Sequence, residues 1–123
     1  MVQAWAAVGA VIAIASITAA MASAQPVARA AGSCSLVGKY RTLGPTYADS
    51  LSVSGTSCAT GVNLIKAYNS CRLKAGGRKG HCHSKVLGFS CSEKRSSSGV
   101  QFIGTVRCTK GRAVVTFAYN ENT

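Results

Sequence analysis

The chain has 123 residues, 14 Lys and Arg against 3 Asp and Glu, and a formal net charge of +11 at pH 7. Its carboxylates, Asp49, Glu93 and Glu121, are too few and too scattered to argue an acid/base pair, and no Gly-x-Ser-x-Gly elbow is present, which argues against hydrolase chemistry. The length supports one domain with a thin core, and 6 cysteines point to covalent cross-links as its main reinforcement.

Residues 4–24 carry no charge and close with Ala22-Ser23-Ala24, a small-residue site of the kind cut by signal peptidase, so residues 1–24 are read as a signal peptide. A basic n-region is missing and the apolar run is long enough to span a bilayer, which makes an uncleaved N-terminal anchor the alternative. Cys34, Cys58, Cys71, Cys82, Cys91 and Cys108 all follow this run, the pattern of a secreted, disulfide-bonded domain. Residues 25–33, with Pro26 and no periodicity, read as a disordered leader, and residues 34–123 as the domain itself.

A first strand is predicted within Tyr47 to Gly55, where Tyr47, Leu51 and Val53 share one face at period two. Ser57 then offers an N-cap to an amphipathic helix from Cys58 to Cys71, with Gly61, Val62, Leu64, Ile65 and Tyr68 on one side and Asn63, Lys66 and Ser70 on the other. Gly61 within it marks either a close approach to the sheet or a merely tolerated glycine. Arg72 to Lys79 reads as a basic, glycine-rich loop. Three strands follow: Lys85 to Ser92 with Leu87, Phe89 and Cys91 inward, Val100 to Thr109 with Val100, Phe102, Val106 and Cys108 inward, and Arg112 to Tyr119 with Ala113, Val115, Phe117 and Tyr119 inward. A Lys110-Gly111 turn would set Cys108 opposite Ala113 and Phe102 opposite Tyr119. A four-residue turn at Ser96 to Gly99 would set Phe89 opposite Val106. The expected fold is therefore α+β, one helix on a mainly antiparallel sheet of about four strands in the order β-α-β-β-β.

That register would separate Cys91 from Cys108 by roughly 13 Å, too far for a bridge. A right-handed crossover through the helix would place the helix start over Cys91. The expected pairs are then Cys58 with Cys91, Cys71 with Cys82, and Cys34 with Cys108.

The runs Ser57-Cys58-Ala59, Lys66-Ala67-Tyr68 followed by Cys71, Val86-Leu87-Gly88-Phe89-Ser90-Cys91, and Cys108-Thr109-Lys110-Gly111 resemble small exported cysteine-containing proteins of actinobacteria, a group without an assigned activity. The resemblance spans most of residues 34–123. It implies export and the scaffold and names no catalytic residue.

Lys66, Arg72, Lys74, Arg78, Lys79 and Lys85 gather around the helix end and its loop, and such density attracts anions by charge alone. The expected partner is an anionic polymer of the cell surface or an acidic protein; solubility alone is the bland reading of the same charge. Base-specific nucleic-acid readout is not expected, because Phe89, Phe102, Phe117 and Tyr119 are committed to the core, with Tyr40 and Tyr47 left to stack. His81-Cys82-His83 offers two imidazoles on one side of an extended segment, two ligands where a closed zinc site needs four, so no metal or other cofactor is expected. A secreted ribonuclease using His81, His83, Glu93, Arg95 and Arg107 is an alternative, as is an inhibitor presenting the loop between Cys71 and Cys82. The leading expectation is a monomeric, secreted basic protein without a catalytic site, touching a membrane only if its leader is retained.

Overall fold

In the computed structural model, residues 32–123 and Gly9 are described. Gly9 apart, the predicted signal peptide and residues 25–31 of the predicted leader lie outside the described residues. Gly32 and Ser33, which the sequence places in that leader, pair as a short edge strand.

The elements run β1 (Gly32–Ser33), β2 (Tyr47–Ser54), α1 (Cys58–Gly76), a 3-10 turn (Gly77–Lys79), β3 (Ser90–Ser98), β4 (Gln101–Lys110) and β5 (Ala113–Asn122). One helix packs on a fully antiparallel sheet with strand order β1-β2-β5-β4-β3. The fold is thus α+β as expected, with five strands rather than four because the two residues of β1 extend the edge beside β2.

Helix α1 starts where its cap dictates: the Ser57 hydroxyl accepts the Thr60 N–H at 3.1 Å, a contact worth about 1 kcal/mol. Gly61 is a close approach. A Cβ there would lie 3.0 Å from the methyls of both Leu51 and Val53, so its absence lets the helix settle on β2. Leu64, Ile65 and Tyr68 continue the buried stripe, and the helix runs past Cys71 to Gly76. It ends where Gly77 takes a φ of 72° and donates its N–H to the Leu73 carbonyl.

The sheet's inner face carries Leu51, Val53, Phe102, Val106, Cys108, Val115, Phe117 and Tyr119, all buried beneath α1 and the flanking segments. Its outer face is rich in small hydroxyl side chains and open to solvent. A register shift between Ala48 and Ser50 leaves Asp49 as the extra residue of β2, so Ala48 rather than Tyr47 joins Leu51 and Val53 inside.

Both predicted hairpin registers are corrected. Lys110 pairs with Ala113, so the turn is Gly111-Arg112; Cys108 therefore faces Val115, and Phe102 faces Glu121. Gly111 sits at φ 57° while Arg112 does not reach positive φ, the signature of a type II′ turn with glycine first. A Lys110-Gly111 turn would have put a lysine at that first position. The β3–β4 turn is likewise Gly99-Val100, with Gly99 at φ 59°, and Val100, expected inward, is 76% exposed.

β3 consequently begins five residues later than predicted. Its inner face is Cys91, Glu93 and Arg95, which apolar alternation cannot detect. The residues read as a strand before it, Val86 to Phe89, make a tight turn closed by mutual Val86 and Phe89 backbone bonds. Leu87, expected in the core, is at its tip: φ is 50°, the side chain is 54% exposed, and the left-handed backbone costs about 1–2 kcal/mol.

The register overturns two predicted disulfides. Cys91 and Cys108 stand directly opposite, with Cα atoms 4.0 Å apart, and are bonded to each other; Cys34 bonds Cys58, and Cys71 bonds Cys82 as predicted. The crossover assumed β2 and β3 to be parallel neighbours, whereas β2 pairs with β5, which removes the Cys58–Cys91 geometry. With all 6 cysteines oxidised, the domain belongs in an oxidising environment, and no helix among the described residues is long and apolar enough to cross a membrane.

Candidate anion-binding groove

Two carboxylates scattered along the sequence are drawn inward. In β3, Glu93 follows Cys91 at period two; in β5, Glu121 follows Phe117 and Tyr119 in the same way, so both side chains point beneath the helix. Glu121 meets Arg72, whose Nη2 lies 2.8 Å from Glu121 Oε2. Glu93 accepts hydrogen bonds from Arg95 Nε, from the Tyr119 hydroxyl and, at 3.3 Å, from the Tyr68 hydroxyl. Burial, followed by the Glu93 charge and hydrogen bond, pushes the Tyr68 hydroxyl well above its ordinary range; burial and then the Glu93 hydrogen bond do the same for Tyr119.

Arg72 is thereby removed from the predicted anion-binding set. It falls four residues after Tyr68 on the buried stripe of α1 and is itself fully buried. Its guanidinium donates to Asn69 Oδ1 at 2.7 Å and to the Arg78 carbonyl at 2.6 Å, and stacks 4.3 Å from the Tyr119 ring centroid. Tyr68 at 68, Arg72 at 72 and the inward parity of Glu121 were the available signals; a charged residue on an apolar stripe with one inward carboxylate is a paired interior charge.

The remaining cations divide among several places. Lys74 and Lys85 line one open groove of about 680 Å³ between the second half of α1 and the 81–87 segment, together with His81, His83 and Ser84. The two imidazoles lie 6.2 Å apart at 27° to each other. Ala67, Cys71, Ala75, Val86 and Leu87 complete the groove with apolar surface, and neither Asp49, Glu93 nor Glu121 lines it. Lys79 instead borders a smaller cleft of about 350 Å³ with His81 and Arg95. Arg78 is exposed and leans toward the Asn122 carbonyl at 3.5 Å, while Lys66 is exposed on the helix and does not line the groove.

The alternatives fare differently. His81, Glu93 and Arg95 do come together: His81 Nδ1 is 3.9 Å from Glu93 Oε2, and its Nε2 is 3.4 Å from Arg95. Arg107 does not join them, because it pairs opposite Ser92 on the outer sheet face. The span from Cys71 to Cys82, imagined as an inhibitor loop, is largely helix and 3-10 turn with Arg72 buried inside it. Among the described residues no three His, Cys, Asp or Glu side chains converge as metal ligands. Tyr40 remains exposed, whereas Tyr47 is half-buried with the Arg41 guanidinium 4.8 Å from its ring centroid.

Comparison of the chain with protein-family models, with curated proteins and with solved structures gave no match.

Proposed function

We propose that this is a secreted basic protein that contacts anionic polymers of the cell surface through the Lys74–Lys85 groove. The observation that carries the reading is the separation of charge. Glu121 is paired with the buried Arg72 and Glu93 with the partly buried Arg95, and no carboxylate lines the groove to compete with an external anion. Removal of the first 24 residues on export would leave the net charge of the chain intact, since every charged side chain lies beyond them. Oxidised cysteines are consistent with that destination.

Retention on heparin or teichoic-acid resin tests this. The protein is expected to bind at low salt and to elute as salt rises, with Lys74→Ala and Lys85→Ala each reducing the slope of log affinity against log salt by about 1. Lys66→Ala, outside the groove, should shift elution less. Absence of retention at low salt removes the proposal.

The ribonuclease reading keeps one supporting observation, the convergence of His81, Glu93 and Arg95. Against it, Glu93 already accepts hydrogen bonds from two tyrosines and an arginine, and its side chain is only 6% exposed, which keeps a substrate proton from reaching it. RNA turnover abolished by His81→Ala would favour the enzyme over the binder.

A further inference from the structure

We propose that the same groove is a site for a single-chain anionic amphiphile, an alkyl chain ending in a phosphate or carboxylate and dissolved as a monomer; this rests on the anion-binding reading and adds the apolar half of the ligand. Charge alone does not account for the groove's construction. Its walls are Ala67 and Ala75 from α1 and Val86 and Leu87 from the facing turn, with Lys74 and Lys85 at the polar border, so a long hydrocarbon and a terminal anion can be satisfied together. The volume of about 680 Å³ falls within the roughly 300–1,000 Å³ usual for small-molecule sites.

Leu87 is the decisive residue. A two-residue turn in which Leu87 and Gly88 both take positive φ calls for Asn, Asp or Gly at its first position. Leucine there is strained and more than half exposed, so the fold gains little from it, and strained residues of this kind cluster at ligand clamps. The tip is also close to charge: the Lys110 ammonium lies 3.2 Å from where a Gly88 Cβ would stand, and Lys74 and Lys85 line the groove that Leu87 borders. An apolar lip beside lysines matches the junction of a chain and its anionic head.

The test uses the full chain, isotope-labelled, and dodecyl phosphate held below its micelle concentration, with binding read residue by residue from NMR shifts. Shifts are expected at Ala67, Ala75, Val86 and Leu87. Inorganic phosphate and monomeric dodecyl maltoside should each bind at least tenfold more weakly. Leu87→Asn should weaken dodecyl phosphate at least fivefold while raising the thermal midpoint, and heparin retention, set by the lysines, should change far less. That opposition of binding and stability is what a purely structural leucine would not produce. The proposal is overturned if inorganic phosphate binds as tightly as its dodecyl ester, which would leave only the polymer contact, or if the ester is bound solely when embedded in phosphatidylcholine vesicles, which would make the tip a membrane contact. Loss of heparin retention with dodecyl phosphate binding intact would sink the polymer reading and spare this one.

Discussion

Arg72, fully buried in α1, and Glu121, at the end of β5, are joined through a 2.8 Å ion pair that ties the last turns of the helix to the far end of the central strand. Removing one partner leaves the other charged in the interior. Arg72→Ala or Glu121→Gln is therefore expected to destabilise the domain by about 3–5 kcal/mol, a large share of the roughly 5–15 kcal/mol typical of folded domains. Arg72→Met combined with Glu121→Leu should cost clearly less than Arg72→Met and Glu121→Leu made singly and summed. Denaturant unfolding of the four proteins checks this, and strict additivity would mean that the pair is not coupled.

Gly104 lies opposite Tyr119 on β4, with the phenol ring over its Cα. A methyl group at 104 would overlap that ring, and the ring cannot retreat because its hydroxyl is held by Glu93 and its face by Arg72. Gly104→Ala should accordingly destabilise by about 1–3 kcal/mol, the range of core overpacking, despite alanine's better strand entropy. An unchanged thermal midpoint would show that Tyr119 is free to move.

The two tyrosines that donate to Glu93 set an alkaline limit. Burial holds their protons in the folded domain above the ordinary value of 10.0, at which the unfolded chain begins to release them. The unfolded state then binds fewer protons than the folded one, so stability contributed by these groups is complete below pH 10 and declines as pH rises beyond it. Titration of the denaturant midpoint from about pH 8 upward should show the fall. Tyr68→Phe should reduce its steepness; an identical slope in that variant would remove Tyr68 from the network.

Much of the scaffold was legible because local rules govern it. Ser57 as a cap, the stripe through Leu64, Ile65 and Tyr68, and the inward faces of β4 and β5 follow from periods of 3.6 and 2. The hairpin registers were not legible from those faces. Each predicted register differs from the observed one by an even number of residues, which keeps every apolar side chain on its face, so hydrophobic pattern cannot choose between them. The positive φ of Gly99 and Gly111 chooses, by requiring glycine first in each turn. Two disulfides went astray with the registers: peptide mapping without reduction is expected to return Cys34–Cys58, Cys71–Cys82 and Cys91–Cys108, and a Cys58–Cys91 peptide would contradict the antiparallel sheet.

For the groove, composition alone supplied a basic cluster, and the tertiary structure sorted it. Lys74 and Lys85 meet across a gap between helix and turn, while Arg72, their neighbour in sequence, vanishes into the core. Residue type and spacing determine which side of a helix or strand faces inward, since that depends only on backbone geometry. Which inward charges find partners, and which outward ones gather around a common cavity, depends on the packing of segments distant along the chain, and only the folded domain brings those segments together.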